Sequence, residues 1–563
     1  MFPIPALIDI PGYGPVSLTV FVYGAVAAWV AVWIFSYRDG TALGNDRNRY
    51  RKDLYSPHTT WFLGSLPFVL ATRHKLLETW GEERAKMERN PEHHGKWLSW
   101  SAPYGRRVID ISRPDLIEYV QKTNFQNYVK GKQFYLNMEA VLGDGIFNVD
   151  GHAWTLQRKA TSKIFNGNAF RGIIAQSIDK NIERLVTIIK RHADKGEVFD
   201  LSQLFFRFTL ESFGGMAFGC DIGALSTETD EPVPFTAAFD YAQVVLNRRF
   251  QDPFWPINEF LDGSRGKMRD TVRILDDFCY NLIDERTRAG RNTFTSEKEH
   301  DSQTDLLSLY MNIRDEQGKP MSRKQLRDAV LNLIIAGRDT TAQAMSWTMI
   351  RLLRDPKWIE SIRKEADEMG HLEYDTFKHL HMTNAVFMEG LRLSPSVPKN
   401  GWQAVKDDQL PNGGPFVRAG EYVHWGDYSM AREESIWGPD AKQFNPARWI
   451  DADGTVKKVS NYKAHMFNAG YRLCLGMELA KFEGCHLLTT ILKNFDLEFA
   501  EGYWENTPKL DTEDMPKYLP SITLHLVSHF VSLLAINPEP VSEDIFYMQA
   551  NPLMVRATVR KSA

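Results

Sequence analysis

Residues 467–476 read FNAGYRLCLG and run straight into the amphipathic stretch MELAKFEGCHLLTTILKNF. A loop with glycine at 470 and 476 leading into a helix places Cys474 just ahead of the helix's positive end. That end and the nearby backbone N–H groups favour a thiolate, which is a metal ligand and electron donor. The two glycines are expected to allow tight backbone turns against a flat partner. Arg472, two residues earlier, is suited to hold an anionic group through a charge-assisted bond. Phe467 is expected to shield the sulfur and keep its surroundings apolar. A lone buried cysteine in a turn needs none of these companions, so the set as a whole points to a ligand.

The remaining cysteines narrow the reading. Cys220, Cys279 and Cys485 complete a set of four in 563 residues. That is too few for a disulfide framework, and no two have the CxxC spacing of a structural zinc site. They read as small buried hydrophobes in a reduced compartment. A formal net charge of −4 provides no overall basic field for nucleic acid. The chain is long enough to bury a core around a prosthetic group. Helical periodicity covers 176–192, 200–218, 267–290 and 322–354, while strand signals are short and late, as at 416–425. The expected fold is mainly α with minor β (α+β), in one catalytic domain.

Inside the fourth helical stretch, LNLIIAGRDTTAQAMSW, Gly337 costs about 1 kcal/mol relative to alanine. Thr340 is placed to bond back to the carbonyl four residues earlier. Together they are expected to open a local distortion, with Asp339 and Thr340 as an acid–alcohol pair able to pass protons. On NAVFMEGLRLSP, Glu389 and Arg392 share a helix face at i, i+3. In GHAWTLQRK, Trp154 and Arg158 lie one helical turn apart, with Lys159 and Lys163 adding positive charge.

These motifs in this order resemble the cytochrome P450 superfamily, whose cysteine signature is F-x-x-G-x-R-x-C-x-G. The resemblance implies a haem-thiolate monooxygenase with Cys474 as axial iron ligand, haem b as cofactor and O2 as co-substrate. It also implies NADPH-derived electrons from a separate cytochrome P450 reductase, since no flavin domain is fused to the chain, with cytochrome b5 as a further donor. Arg448 in FNPARW would complete a structural triad with Glu389 and Arg392. Trp154, Arg158 and Arg472 would meet haem propionates, and the reductase would dock near the basic patch around Arg158, Lys159 and Lys163. Three positions depart from the family pattern. Trp402 stands where a propionate-binding Arg or His is common, so no contact is assigned there. Ala447 replaces the usual Glu before Arg448, and Ala431 replaces a frequent Gly.

NYVKGKQF, LGDGIFNVDGHAWTLQRKATSKIF, FTLESFGGMAFG and AFDYAQVVLNRRFQDPFW resemble the fatty-acid ω-hydroxylase branch of fungi and plants. That likeness, spread over about 60–526, implies oxidation of a long-chain fatty acid or alkane at or near its terminal carbon. Ala336 stands where one animal branch carries a haem-linking Glu, so the haem is expected to be non-covalent. Substrate is expected against residues 135–150 and 240–256, and Arg248 and Arg249 are expected on a solvated face. The competing chemistry is a haem-thiolate isomerase or dehydratase acting on lipid hydroperoxides. That class usually alters the acid–alcohol helix, which is intact here. A non-enzymatic haem carrier would not need the pair at all.

Two segments lie outside this core. Val16 to Phe35 is an uncharged run of 20 residues, long enough to cross a bilayer, and is followed by Arg38, Arg47, Arg49, Arg51 and Lys52. It predicts a lumenal tail and single-pass anchor over 1–37, a linker over 38–60 and a cytosolic catalytic domain over 61–563 at the endoplasmic reticulum membrane. Trp61 to Leu70 is read as an entry segment able to lie on the bilayer. Residues 527–549 interrupt the expected C-terminal hairpin, and a familiar ending resumes at ANPLMVRATVRK. A retained intron and a genuine inserted loop both account for those 23 residues.

Overall fold

The computed structural model describes residues 51–560 with short breaks and one long one at 516–551, plus a few positions before 51. Helices dominate. The central one, Arg323–Arg354, starts at a capping box in which the Ser322 hydroxyl accepts from the Gln325 N–H and the Gln325 side chain accepts from the Ser322 N–H. Most residues along it are buried, the mark of a helix covered by neighbours on its sides. Against it packs Leu201–Phe218, capped by Asp200 and ended by Gly219 at φ +57°. Pro234–Gln251, Ser264–Thr293, His381–Leu393 and Met477–Asn494 complete the bundle around one apolar core.

The two larger of the sheets among the described residues flank the bundle. The larger runs in the order Leu54–Tyr55, Trp97–Trp100, Val108–Asp110, Tyr422–Trp425, Asn400–Ala404, Tyr128–Val129. The smaller joins Phe495–Phe499, Met554–Val559 and Val198–Asp200, all antiparallel. The chain after the unusual 527–549 segment thus returns to the sheet, and the Leu553 N–H bonds to the Asp200 cap at 3.0 Å. The segment itself lies outside the described residues.

The structure redraws several sequence boundaries. The stretch 416–425 is two strands of different sheets, Phe416–Val417 and Tyr422–Trp425, separated by a turn. The expected linker 38–60 is built into the catalytic domain by its end: Leu54–Tyr55 pairs with Trp97–Leu98, and Arg51 bridges Asp53 and Glu421. Arg51 is therefore committed to the fold. In the segment expected at the bilayer, Leu66–Thr72 is a helix that buries Val69 with Trp80, Leu98 and Trp100.

Most of the expected membrane span lies outside the described residues. Val16 and Ser17 fall in a strand, Gly14–Ser17, paired with Leu7–Ile10. Among the described residues no helix is long and apolar enough to cross a membrane.

Candidate active site around Cys474

The cysteine loop is fixed mainly by its backbone. The Cys474 N–H donates to the Phe467 carbonyl at 2.8 Å, closing the loop. Gly470 sits at φ +56°, and a Cβ there would lie 2.6 Å from the Gln121 carbonyl oxygen, so only glycine fits. Gly476 is different. Its φ of −88° suits any residue, and a Cβ would rest 4.0 Å from the Cys474 sulfur. The turn expected at Gly476 is not a constrained one; the residue keeps the space beside the sulfur clear.

A polar chain missed in the sequence ties the loop to the sheet. His465 bonds Asp427 at 2.7 Å and Gln121 at 3.0 Å, Gln121 donates to Asn468 at 2.6 Å, and Asn400 donates to Asp427 at 2.7 Å. These residues span some 350 positions of sequence, and nothing in their local spacing announces them.

Cys474 combines two properties that the other cysteines do not share. It is exposed, whereas Cys279 and Cys485 are buried and Cys220 half-buried. Yet it lies deep enough that burial raises its thiol pKa, partly countered by the Gly476 N–H and the charge of Arg158. A deep but accessible sulfur lines an internal space.

Cations gather close by. Arg472 is half-buried, meets Asp150 at 3.3 Å, and stacks 4.1 Å from the Trp154 ring and 4.7 Å from Trp402. Lys130, unmarked in the sequence, lies 4.7 Å from the Phe134 ring and 4.9 Å from Trp402. Burial and the neighbouring Arg472 push its pKa down to about 7, with Asp150 pulling the other way. Burial lowers Arg472 to about 10. Asp150 also accepts from the Lys130 and Gly131 N–H groups. One carboxylate therefore serves two deep cations, and such a cluster is suited to bind anions. Arg158 is turned elsewhere: it donates to the Leu473 carbonyl and so clamps the loop from the Gly151–Phe165 helix. Lys159, on the same helix, is exposed.

On the central helix, Ala336, Gly337 and Thr340 are the partly open positions of an otherwise buried stretch. Thr340 donates to the Ala336 carbonyl at 2.7 Å. The expected distortion does not form; the helix runs unbroken. Gly337 instead allows close packing, since a Cβ there would collide with the Phe213 ring. The Thr209 hydroxyl reinforces this contact by donating to the Arg338 carbonyl at 2.9 Å.

Asp339 is fully buried. One oxygen accepts from Arg338 at 3.1 Å and the other has no partner. Burial raises its pKa to about 7, Arg338 opposing and Asp240 adding to the rise. Its neighbour Thr341 faces Glu483 on the cysteine helix, whose carboxyl burial raises to about 8.

Glu389 accepts from Arg392 at 2.8 Å through both oxygens, from Arg448 at 3.0 Å, from the Asn445 N–H at 2.9 Å and from the Trp449 indole at 2.8 Å. Burial alone would raise its pKa. The Arg392 bonds and the two positive charges outweigh burial and hold it below the ordinary value. Asp440 braces Arg448 from the far side at 2.9 Å.

Of the two arginines expected on a solvated face, Arg248 keeps a partly exposed side chain, and Arg249 is not there. Arg249 is buried in a two-pronged pair with Glu259, at 2.7 and 2.9 Å, under the Trp255 ring. Arg248 pairs with Asp262 at 2.7 Å. The extra partners Glu259 and Asp262 come from the segment that follows in sequence, folded back on Pro234–Gln251. A surface cleft of about 580 Å³ lies beside Arg249, Trp255 and Arg327, between 135–150 and the central helix.

The model of the cytochrome P450 family matches residues 56–514. A cytochrome P450 monooxygenase, cyp1, of Mycosarcoma maydis is 41% identical over 495 residues, covering 86% of this chain and 75% of that protein. Cytochrome P450 704B1 of Arabidopsis thaliana is 32% identical over 81% of this chain and 90% of its own length, and cytochrome P450 86B1 of the same plant is 31% identical over 86% and 88%. The chain belongs to the cytochrome P450 family and is a monooxygenase of that family.

The family implies a haem-thiolate centre, O2 and electrons from a reductase. The site suits such a group. A sulfur that is deep yet accessible, a flank beside it kept free of any Cβ by Gly476, and deep cations outnumbering their carboxylate match an iron porphyrin with two propionates.

Proposed function

We propose that this chain hydroxylates long-chain fatty acids or alkanes at or near the terminal carbon, using non-covalent haem b and electrons from NADPH through cytochrome P450 reductase. In this reading it is held at the endoplasmic reticulum membrane by residues 16–35, with its catalytic domain in the cytosol. Cytochrome b5 is a second electron donor. The observation that carries the chemistry is the pairing of an accessible, deep Cys474 with a buried carboxyl and an alcohol, Asp339 and Thr340, on the central helix. The choice of substrate is supported by the likeness of 60–526 to the ω-hydroxylase branch.

When bound, the haem provides the oxygen-activating chemistry. The chain's own residues do the rest. Cys474 is the iron ligand, and its thiolate is favoured by the Gly476 N–H and by Arg158. Arg472 and Lys130 hold the propionates, with Trp154 and Trp402 stacked against them. Phe467 keeps water from the sulfur. Asp339 and Thr340 hold and pass protons: a carboxyl with a pKa near 7 and an unpartnered oxygen can both take up and release one at physiological pH. Glu389, Arg392 and Arg448 keep the ground beneath the loop rigid.

A carbon-monoxide difference spectrum of the reduced protein tests the thiolate centre. Membranes carrying the chain and a reductase, given NADPH and a panel of fatty acids and alkanes, are expected to yield ω-hydroxylated products. Turnover of lipid hydroperoxides without O2 or NADPH, with no C–H oxidation, would instead establish the isomerase chemistry.

A further inference from the structure

Arg338 and Asp339 are neighbours on the central helix, and both are buried. Arg338 offers one nitrogen, Nη1, to two carboxylates: Asp339 at 3.1 Å and Asp240 at 2.5 Å. Asp240 belongs to a different helix, Pro234–Gln251, and its side chain is one-third exposed. The guanidinium is fixed between the rings of Phe206, at 5.0 Å, and Phe239, at 5.6 Å. It therefore does not follow one carboxylate at the expense of the other. One turn beyond Asp240, on the same helix face, the fully buried amide of Gln243 lies alongside Asp339 with no strong partner for either of its polar atoms.

We propose that Asp240 is a positioning residue for Asp339: by sharing the Arg338 nitrogen from helix Pro234–Gln251, it keeps the buried acid able to hold its proton. This rests on the proton-handling role of Asp339 proposed above. The physical reason is charge balance. A buried carboxyl facing one arginine alone is pushed towards its ionised form. A second carboxylate on the same nitrogen cancels much of that pull, and desolvation then keeps the proton on. The charged groups bearing on Asp339 are Arg338 from its own helix and Asp240 from the facing one. From helix Leu201–Phe218 the groups at this place are the Phe206 ring and the Thr209 hydroxyl, neither of which titrates in the relevant range.

The test is a pH titration of the haem-loaded, full-length protein by infrared difference spectroscopy. The Asp339 carboxylic C=O band is identified as the one lost in Asp339→Asn. In the native chain its midpoint is expected near neutral pH. In Asp240→Asn, with Asp240→Asn/Asp339→Asn as the matching blank, it is expected about one pH unit lower or more. Asp240→Glu, which restores the second carboxylate, is expected to return it towards the native value. The pH dependence of turnover should move with the midpoint, whereas a merely structural role would lower activity equally at all pH. An unchanged midpoint in Asp240→Asn, or a lowered one in Asp240→Glu as well, overturns the proposal. The infrared midpoint needs no turnover, so a chain that oxidises no lipid would sink the function proposed above and leave this result readable. If Asp240→Asn does not fold, Asp240→Glu and Arg338→Lys decide. The longer acid should keep the native midpoint and the altered cation should move it; identical midpoints in both refute the sharing.

Discussion

Among the buried carboxyl groups, Glu389 and Asp339 have opposite surroundings. Glu389 accepts five hydrogen bonds and is held below the ordinary carboxylate range. Asp339 accepts one from Arg338, keeps an oxygen without a partner and is pushed up to about 7. Both face arginines, so the presence of a countercharge does not separate them. Completion does. A fully partnered buried ion fixes geometry and resists any change of protonation. One left incomplete is costly to keep charged and therefore responds to pH, which is what proton transfer requires.

The sulfur is where the contrast is broken most completely. Cys474→Ala is expected to abolish both the carbon-monoxide difference band of the reduced protein and all lipid oxidation, because no other described cysteine is both deep and accessible. Survival of either signal removes the basis for treating Glu389 as support and Asp339 as machinery.

Next in size is the direct comparison of the two carboxyls. Glu389→Ala leaves Arg392 buried and unpaired, and about 3–5 kcal/mol of stability should be lost in denaturant unfolding. Asp339→Asn should leave folding intact while turnover falls by roughly 10²-fold or more, the usual weight of a positioned acid–base group. If the two variants fail in the same way, the distinction between completed and incomplete ions does not hold.

Stability against pH sharpens the same point, and the signs are opposite. Glu389 has a lowered folded pKa, so its contribution is present above the unfolded value and is lost as pH falls through the folded one. Asp339 has a raised folded pKa, so the protein weakens as pH rises from the unfolded value of 3.8 through about 7. Asp339→Asn removes that penalty. Its stability relative to the native chain should be close to zero near pH 4 and favourable by on the order of 1–3 kcal/mol at pH 8. Unfolding midpoints at both pH values measure it, and a flat difference contradicts the assigned titration.

How much of this was legible from sequence follows the same physics. Contiguous motifs were readable because their parts lie on one loop or one helix turn: Cys474 with Gly470 and Arg472, Glu389 with Arg392, Asp339 with Thr340. The helices were readable because burial imposes a period. Residues that become partners only through the fold left no local trace. Lys130 reads as one of several lysines in NYVKGK until Trp402 and Arg472 pack on it. Asp240 reads as a helix surface acid until Arg338 meets it from almost a hundred residues away. Arg249 was misplaced for the same reason: it reads as solvated until Glu259 folds back on it. The distortion expected at Gly337 failed because spacing alone cannot tell a glycine that bends a helix from one that admits a neighbouring ring, here Phe213.

The two loop glycines allow the smallest and most discriminating test. Gly470 is required by the backbone: at φ +56° and with the Gln121 carbonyl 2.6 Å from any Cβ, Gly470→Ala should cost about 1–2 kcal/mol and loosen the loop. Gly476 is under no such constraint, and at 4.0 Å its added methyl would only touch the sulfur. Gly476→Ala should therefore fold within about 0.5 kcal/mol of the native chain, yet retain haem less well and shift its absorption maximum, because the methyl occupies the flank that the ligand plane needs. Thermal unfolding and haem retention measured side by side separate the two effects. Equal losses of stability in both variants would mean that Gly476 also serves the backbone, and the clear flank beside Cys474 would then have no separate role.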